Sequence, residues 1–370
     1  MAAEFCFFEP TCERWRHWFI AHGENAFRGD QVFAWIHRFG ITDPERMTNL
    51  PIQLRQFLSR EVNWKPPLLI DNVQASADGS YKFAFLTVDG HVIESVLIPG
   101  SGRDRRKYTV CLSSQVGCKL GCAFCATATL GFQRNLTAAE IVAQVHHVLD
   151  FMAHNAMAFD LGTRPRTQWL TNLVYMGMGE PLQNLQAVLD SIANFSDPRG
   201  LNFSHRRITL STAGWVPGLQ ELATNPFFIG NLAVSLHACN DVVRTQLMPM
   251  NRAFGLEKLR AALLKFPLPA RKRITLEYIL FDGINDTPAD AKALIRFTQG
   301  MRVKINLIPY HAWEKSPSWL QPASPDRKEA FVNILRAAHL TVIERVSAGA
   351  DIDAACGQLA ARKHTRDRHV

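Results

Sequence analysis

Cys111, Cys118, Cys122 and Cys125 fall within fifteen residues, and the last three form Cys118-Lys-Leu-Gly-Cys122-Ala-Phe-Cys125. The other four cysteines, Cys6, Cys12, Cys239 and Cys356, are scattered. In a chain of 370 residues such crowding points to metal-binding or catalytic thiols, not to a disulfide framework. Three thiolates spaced C-x3-C-x2-C can each reach one iron of a [4Fe–4S] cubane. The fourth iron then has no protein ligand and is free to take a substrate, here the amino and carboxylate groups of a methionine moiety. A structural zinc site would ask for four ligands, usually in two C-x2-C pairs. Gly117 and Gly121 let the loop backbone wrap closely.

A second group of chemistry-bearing residues follows at the ends of apolar runs. In Met176-Gly-Met-Gly-Glu-Pro181, Gly177 and Gly179 permit close backbone approach, and Glu180 can hold an ammonium group; a plain strand-to-helix turn is the bland alternative. Ser211-Thr-Ala-Gly214 and Ser235-Leu236-His237 place hydroxyls and an imidazole where ribose and adenine contacts are made, although each alone reads as a satisfied core residue. Near the C-terminus, Cys356 sits among small residues before Gly357, which suggests an exposed thiol; a buried structural cysteine is the alternative.

These residues need a scaffold. Short apolar runs at 108–112, 173–176, 207–210, 232–236, 273–280, 303–307 and 340–346 alternate with amphipathic stretches such as 137–152 and 256–265. The alternation predicts an α/β fold: a parallel sheet with crossover helices, about six β/α units, closing into a partial TIM-like barrel with its site at the C-terminal strand ends. Before it, residues 1–67 read as a small helical domain, with Val32, Trp35 and Ile36 on one face and Leu54, Phe57 and Leu58 on another. Residues 68–107 read as a β-hairpin linker, two strands around Asp89-Gly90, and 108–370 as the barrel. The net charge of +8 makes a polyanionic partner plausible, with Arg28, Arg38, Arg103, Arg105, Arg106 and Lys107 as candidate contacts; a mildly basic enzyme without nucleic acid is the alternative. No run approaches the ~20 apolar residues of a membrane span, and no signal-peptide core is present, so a cytoplasmic protein is expected.

The cluster loop after a first strand resembles the radical S-adenosylmethionine superfamily. With Ser113–Cys118, Gly131–Thr137, Met176–Pro181, Ser211–Gly214, Ser235–His237, Asp351–Leu359 and the N-terminal Phe27–Val32 and Met47–Leu50, the likeness becomes specific: over nearly its whole length the chain is similar to the RlmN/Cfr family of RNA adenosine methyltransferases. The resemblance implies a radical-SAM barrel, a [4Fe–4S] cluster on Cys118, Cys122 and Cys125, and two molecules of S-adenosylmethionine per turnover. It implies methylation of an adenine ring carbon in rRNA or tRNA, at C2 in preference to C8. Cys356 takes the position of the methylated cysteine, Cys111 that of its partner in a transient disulfide, and Glu94 that of the proton acceptor. Gly179, Glu180, Ser211, Ser235, Leu236, His237 and His311 take the cofactor-binding positions. An electron donor such as flavodoxin or ferredoxin and a monomeric state are also implied.

The chain departs from the family pattern at Ala348-Gly-Ala-Asp351, where an arginine and an acid are missing, at His311 in place of an asparagine, and at Ala126-Thr-Ala128, where a glycine is common. These changes leave the RNA target open, and with it another base or a non-RNA substrate. A non-catalytic iron–sulfur sensor would need only the cluster motif.

Overall fold

The computed structural model describes residues 5–100, 107–225, 228 and 230–360. Three helices open the chain: α1 (Cys12–Ala21), α2 (Phe27–Phe33) and α3 (Ile52–Glu61). The apolar faces read from the sequence are buried, with Val32, Ile36 and Leu58 fully inaccessible. This helical unit meets the rest of the chain through rings: Phe8 stacks on His146 at 4.7 Å, and the buried His37 and His146 imidazoles lie 3.2 Å apart.

The next segment carries one strand more than the expected hairpin. β1 (Leu68–Ala75), β2 (Tyr81–Thr87) and β3 (Val92–Pro99) form an antiparallel meander. β1 escaped notice because Leu68–Ala75 runs buried, exposed, exposed and then half-buried, without a clean alternation. The meander is continuous with the barrel sheet, since β3 pairs antiparallel with β4 (Tyr108–Cys111).

From β4 onward the strands are β7 (Asn172–Tyr175), β8 (Ile208–Thr212), β9 (Asn231–Ser235), β10 (Ile274–Ile279), β11 (Val303–Ile308) and β12 (Val342–Glu344), each parallel to its neighbour. Six crossovers join these seven strands, through α4 (Ala138–His154), α5 (Leu185–Ser196), α6 (Val216–Thr224), the pair α7 (Asp241–Leu247) and α8 (Leu256–Lys265), α9 (Pro288–Thr298) and α10 (Pro325–Ala337). The sheet runs β1-β2-β3-β4-β7-β8-β9-β10-β11-β12, so β12 does not return to β4 and the barrel stays open. Helix starts are set locally: Thr137 with Glu140, and Thr287 with Asp290, form reciprocal capping boxes. β10, in the middle of the parallel run, is buried at every residue, as a strand covered on both faces must be. A small hairpin of β5 (Gln115–Gly117) and β6 (Phe132–Asn135) brackets the cysteine loop. Among the described residues no helix is long and apolar enough to cross a membrane.

Candidate active site

The C-terminal ends of the parallel strands surround a cleft of about 150 Å³. Cys118, Cys122 and Cys125 line it together with Gly177, Gly179, Glu180, Ser211, Ser235, His237, Glu277 and Cys356. The cysteine loop is fixed at its root by backbone geometry. Gly117 has φ +72, and a Cβ there would lie 1.7 Å from the Gly131 carbonyl oxygen. Cys118 N–H donates to that same carbonyl at 2.9 Å. Burial pushes the Cys118 thiol up to about 12 and holds Cys122 and Cys125 above the ordinary thiol range.

The donor set fits an iron–sulfur cluster: three thiols on one short loop converge on one cleft, and thiolates are the ligands such clusters take. The surroundings also favour anionic sulfur. Arg244 is fully buried, donates to the carbonyls of Leu236, Ala213 and Ser235 and to Asn251 Oδ1, and among the described residues forms no ion pair with a carboxylate. Burial lowers its own pKa to about 10, and its field favours the Cys122 thiolate. Nothing in the pattern of α7 marks Arg244, so sequence reasoning missed it.

Glu180 enters the cleft from the loop after β7. Its two oxygens accept the N–H groups of Leu182 at 3.1 Å and Ala213 at 2.8 Å, and its own N–H donates to Gln115 Oε1 at 2.9 Å. Burial raises its carboxyl to about 7. A buried carboxylate at that balance gains from a cationic ligand, and an ammonium group is such a ligand. The two loop glycines, which line the cleft, also allow a close approach within the protein. A Cβ on Gly177 would strike Ser113 Oγ and the Leu112 carbonyl, and one on Gly179, at φ +97, would strike the Gln115 side chain. The close approach is to the neighbouring segment 112–115, which sets the loop beside the cysteines.

His237 is buried at φ +55, and its Nδ1 accepts the Ile279 N–H at 3.1 Å. The proton is therefore on Nε2. Burial, with Arg244 adding to it, lowers its pKa to about 3, so the ring is a neutral donor. Ser211 and Ser235 are half-buried on the cleft wall. Leu236 is fully buried in the core and does not line the cleft; only its backbone acts, its carbonyl accepting Arg244. His311 is not among the residues that line the cleft, and its buried Nε2 has no hydrogen-bond partner among the described residues. Glu277, which no motif singled out, lines the cleft, accepts Asn306 Nδ2 at 2.6 Å and is raised in pKa by burial.

Cys356 is solvent-accessible, but into the cleft. Behind it a smaller cavity is lined by both Cys356 and the buried Cys111 at the end of β4, with Glu277 and Arg345. The loop around Cys356 rests on the turn after the cysteines: Ala126 N–H donates to the Gly357 carbonyl at 2.6 Å and Thr127 Oγ1 to that of Leu359 at 2.7 Å. Glu94 lies on the other side of this loop. Its carboxylate is buried, accepts the Ala360 N–H at 2.8 Å and stands 3.8 Å from Lys82 Nζ, in a separate polar cavity with Gln358 and Asp353. Of the basic residues considered for RNA, Arg28 donates to Gln31 and stacks on Phe27, while Arg38 borders a pocket with Phe39 and Arg166. Arg103, Arg105 and Arg106 lie outside the described residues.

An open parallel barrel with three cysteines on the loop after its first strand, sharing a cleft with Glu180 at the end of a glycine-containing loop, defines a radical S-adenosylmethionine enzyme. Residues 8–63 match the family model of the ribosomal RNA large subunit methyltransferase N-terminal domain. The chain is 45% identical over 359 residues to a dual-specificity RNA methyltransferase RlmN of Syntrophobacter fumaroxidans, covering 95% of this chain and 99% of that protein. A protein of the same name from Geotalea uraniireducens is 42% identical, with 95% of each chain covered. Among solved structures, a radical SAM methyltransferase from Sphaerobacter thermophilus superposes with a TM-score of 0.85 at 40% identity, covering 97% of this chain and 100% of that one. The chain belongs to the RlmN family of radical S-adenosylmethionine methyltransferases.

Proposed function

We propose that this enzyme methylates an adenine ring carbon in RNA, rRNA or tRNA, and that Cys356 carries the methyl group. The observation that carries the reading is the position of Cys356: it opens into the cleft of the three cysteines on one side and into a cavity shared with Cys111 on the other. The names of the relatives, dual-specificity RNA methyltransferases, support RNA as the substrate. C2 is preferred to C8 on family resemblance.

Bound at Cys118, Cys122 and Cys125, a [4Fe–4S] cluster with S-adenosylmethionine supplies a methyl group and, by reductive cleavage, a carbon-centred radical. The chain's own residues bind and orient. Glu180 takes the ammonium group of the methionine moiety, while Ser211, Ser235 and the neutral Nε2–H of His237 offer hydrogen bonds to the nucleoside. With one hydrogen removed from the methyl group on Cys356 by that carbon-centred radical, the remaining CH2 would bond to a ring carbon of an adenine held out of its stack, the ring giving up a proton and one electron to restore its aromaticity. The Cys111 thiolate would then attack the Cys356 sulfur, the S–S bond forming as the S–CH2 bond breaks, and the released carbon would take a proton to become the methyl group of the product. Glu94 is the acceptor for the ring proton. Two molecules of S-adenosylmethionine per turnover, a small electron-transfer protein as reductant and a monomeric enzyme complete the reading.

Mass spectrometry of the Cys356 peptide from protein purified without oxygen tests it. One added methyl on that cysteine is expected. Cys356→Ala is expected to abolish RNA methylation while 5′-deoxyadenosine still forms; a normal RNA product from that variant would refute the carrier role. Digested product RNA, compared with 2-methyladenosine and 8-methyladenosine standards, assigns the carbon.

A further inference from the structure

The segment bearing Cys356 is held at its near end by contacts that the chemistry above does not use. Between Glu344 and Ala360 the only regular element is one turn of 3-10 helix, Ala350–Ile352, so no strand or long helix orients the thiol. Instead the segment is tied to the turn between β1 and β2. The Asp351 carboxylate accepts the Ser76 hydroxyl at 2.5 Å and the Ala77 N–H at 3.1 Å. Asp78 answers from the turn: its Oδ2 accepts the Gly349 N–H at 2.7 Å while Oδ1 accepts the Ser80 N–H at 2.8 Å. Lys82 Nζ adds a contact to the Asp353 carbonyl at 3.4 Å. Two acids thus cross between segments about 270 residues apart in sequence, each receiving donors from the other side.

We propose that Asp351 and Asp78 are positioning residues for Cys356: with Ser76 they form a clasp that pins residues 349–351 to the β1–β2 turn and so fixes where the thiol enters the cleft. This rests on the reading of Cys356 as methyl carrier. The clasp gives the antiparallel meander a part in the chemistry beyond extending the sheet. It also accounts for the tolerance of Ala350 where the family has an acid, because Asp351 is the carboxylate that reaches the turn. Both carboxyls are held below the ordinary range, Asp351 by the Ser76 and Ala77 hydrogen bonds, and Asp78 by those from Gly349, Ser80 and Ser76 acting against burial. The clasp therefore stays ionised at neutral pH.

The test uses full-length, cluster-loaded enzyme with in vitro transcripts of 23S rRNA and tRNA. Asp351→Ala removes both acceptors. Asp351→Asn keeps both contacts, since the amide oxygen accepts from Ala77 and the amide nitrogen donates to the Ser76 hydroxyl. Misplacing a reacting group by ~1 Å can cost ~10²-fold, so Asp351→Ala and Asp78→Ala are expected to slow RNA methylation about tenfold or more. Release of 5′-deoxyadenosine and the melting temperature should stay near the parent's, so that cleavage becomes uncoupled from methylation, and Asp351→Asn should restore coupling. Alanine variants within about twofold of the parent's methylation rate would overturn the clasp. So would an Asp351→Asn variant as impaired as Asp351→Ala. A parent whose Cys356 is never methylated would refute the carrier role itself, which the peptide mass separates from a failure of the clasp alone.

Discussion

Glu180 offers a test whose size follows from the structure. Its carboxyl is 2% exposed, and burial raises it from 4.5 to about 7. The folded protein therefore prefers the protonated form, while the unfolded chain ionises from about pH 4.5 upward. Stability falls as pH rises through that window and the loss is complete above pH 7. At 1.36 kcal/mol per unit, the buried charge costs ~3 kcal/mol at pH 8 and under about 1 kcal/mol at pH 5. Glu180→Gln removes the titration but sets an NH2 group against one of the two backbone donors, Leu182 N–H or Ala213 N–H. An unpaired buried donor costs about 1–3 kcal/mol, and does so at every pH. That constant cancels when the two pH values are compared. Urea unfolding of metal-free protein without S-adenosylmethionine should show the variant gaining ~2.5 kcal/mol on the parent between pH 5 and pH 8. A difference that stays the same within ~0.5 kcal/mol would refute the buried-carboxylate argument. Affinity for S-adenosylmethionine should rise with pH through 7 in the parent, as the carboxylate forms, and be weak and flat in Glu180→Gln.

Arg244→Met leaves three carbonyls and the Asn251 amide oxygen without their donor and should cost about 1–3 kcal/mol in chemical unfolding; a loss below ~0.5 kcal/mol would mean these groups find water instead. Gly117→Ala combines φ +72 with a Cβ placed only 1.7 Å from the Gly131 carbonyl oxygen. It should destabilise by at least about 2 kcal/mol and lower the iron and sulfide content per chain. Burial pushes His37 down to about 3, so the fold holds it neutral and loses ~1.4 kcal/mol per pH unit for this group as pH falls below 6.5 toward 3. His37→Asn should flatten that slope in an acid unfolding series; an unchanged slope would place the acid sensitivity elsewhere.

What the sequence made legible was whatever depends on period or on a rigid spacing. The parallel strands and α4 announced themselves because burial on both faces or on one helix stripe imposes a pattern, and boundaries moved by only a residue or two, as at Asn231–Ser235. The cysteine loop was legible because three thiols must lie close along the chain to share one cluster. β1 was not, since an edge strand half-covered by α4 needs no alternation. Arg244 and Glu277 were not, because what marks them is burial without a conventional ion-pair partner, a property of the folded surroundings. The resemblance puts Leu236 at a cofactor-binding position; its side chain turns into the core, which leaves its backbone for such a contact.

The loop that carries Cys356 is a partition. Cys356, Gly357 and Leu359 face the cleft, whereas Gln358 and Ala360 face the cavity of Glu94 and Lys82. With Ala360 donating to the Glu94 carboxylate, that oxygen is occupied, and the loop stands between it and any base in the cleft. If Glu94 accepts the ring proton, the Ala360 hydrogen bond has to break first. The contacts that would have to yield with it lie at the far end of the loop, between residues 357–360 and Ala126, Thr127, Glu94 and the Ala312 carbonyl. The near end, tied by Asp351 and Asp78, can remain in place. A loop anchored at one end and lightly held at the other can keep Cys356 within reach of both Cys111 and the cleft while its tail swings clear of Glu94. On the reading that Glu94 accepts the ring proton, the two thiol cavities and the carboxylate cavity become one working site only once that tail has moved.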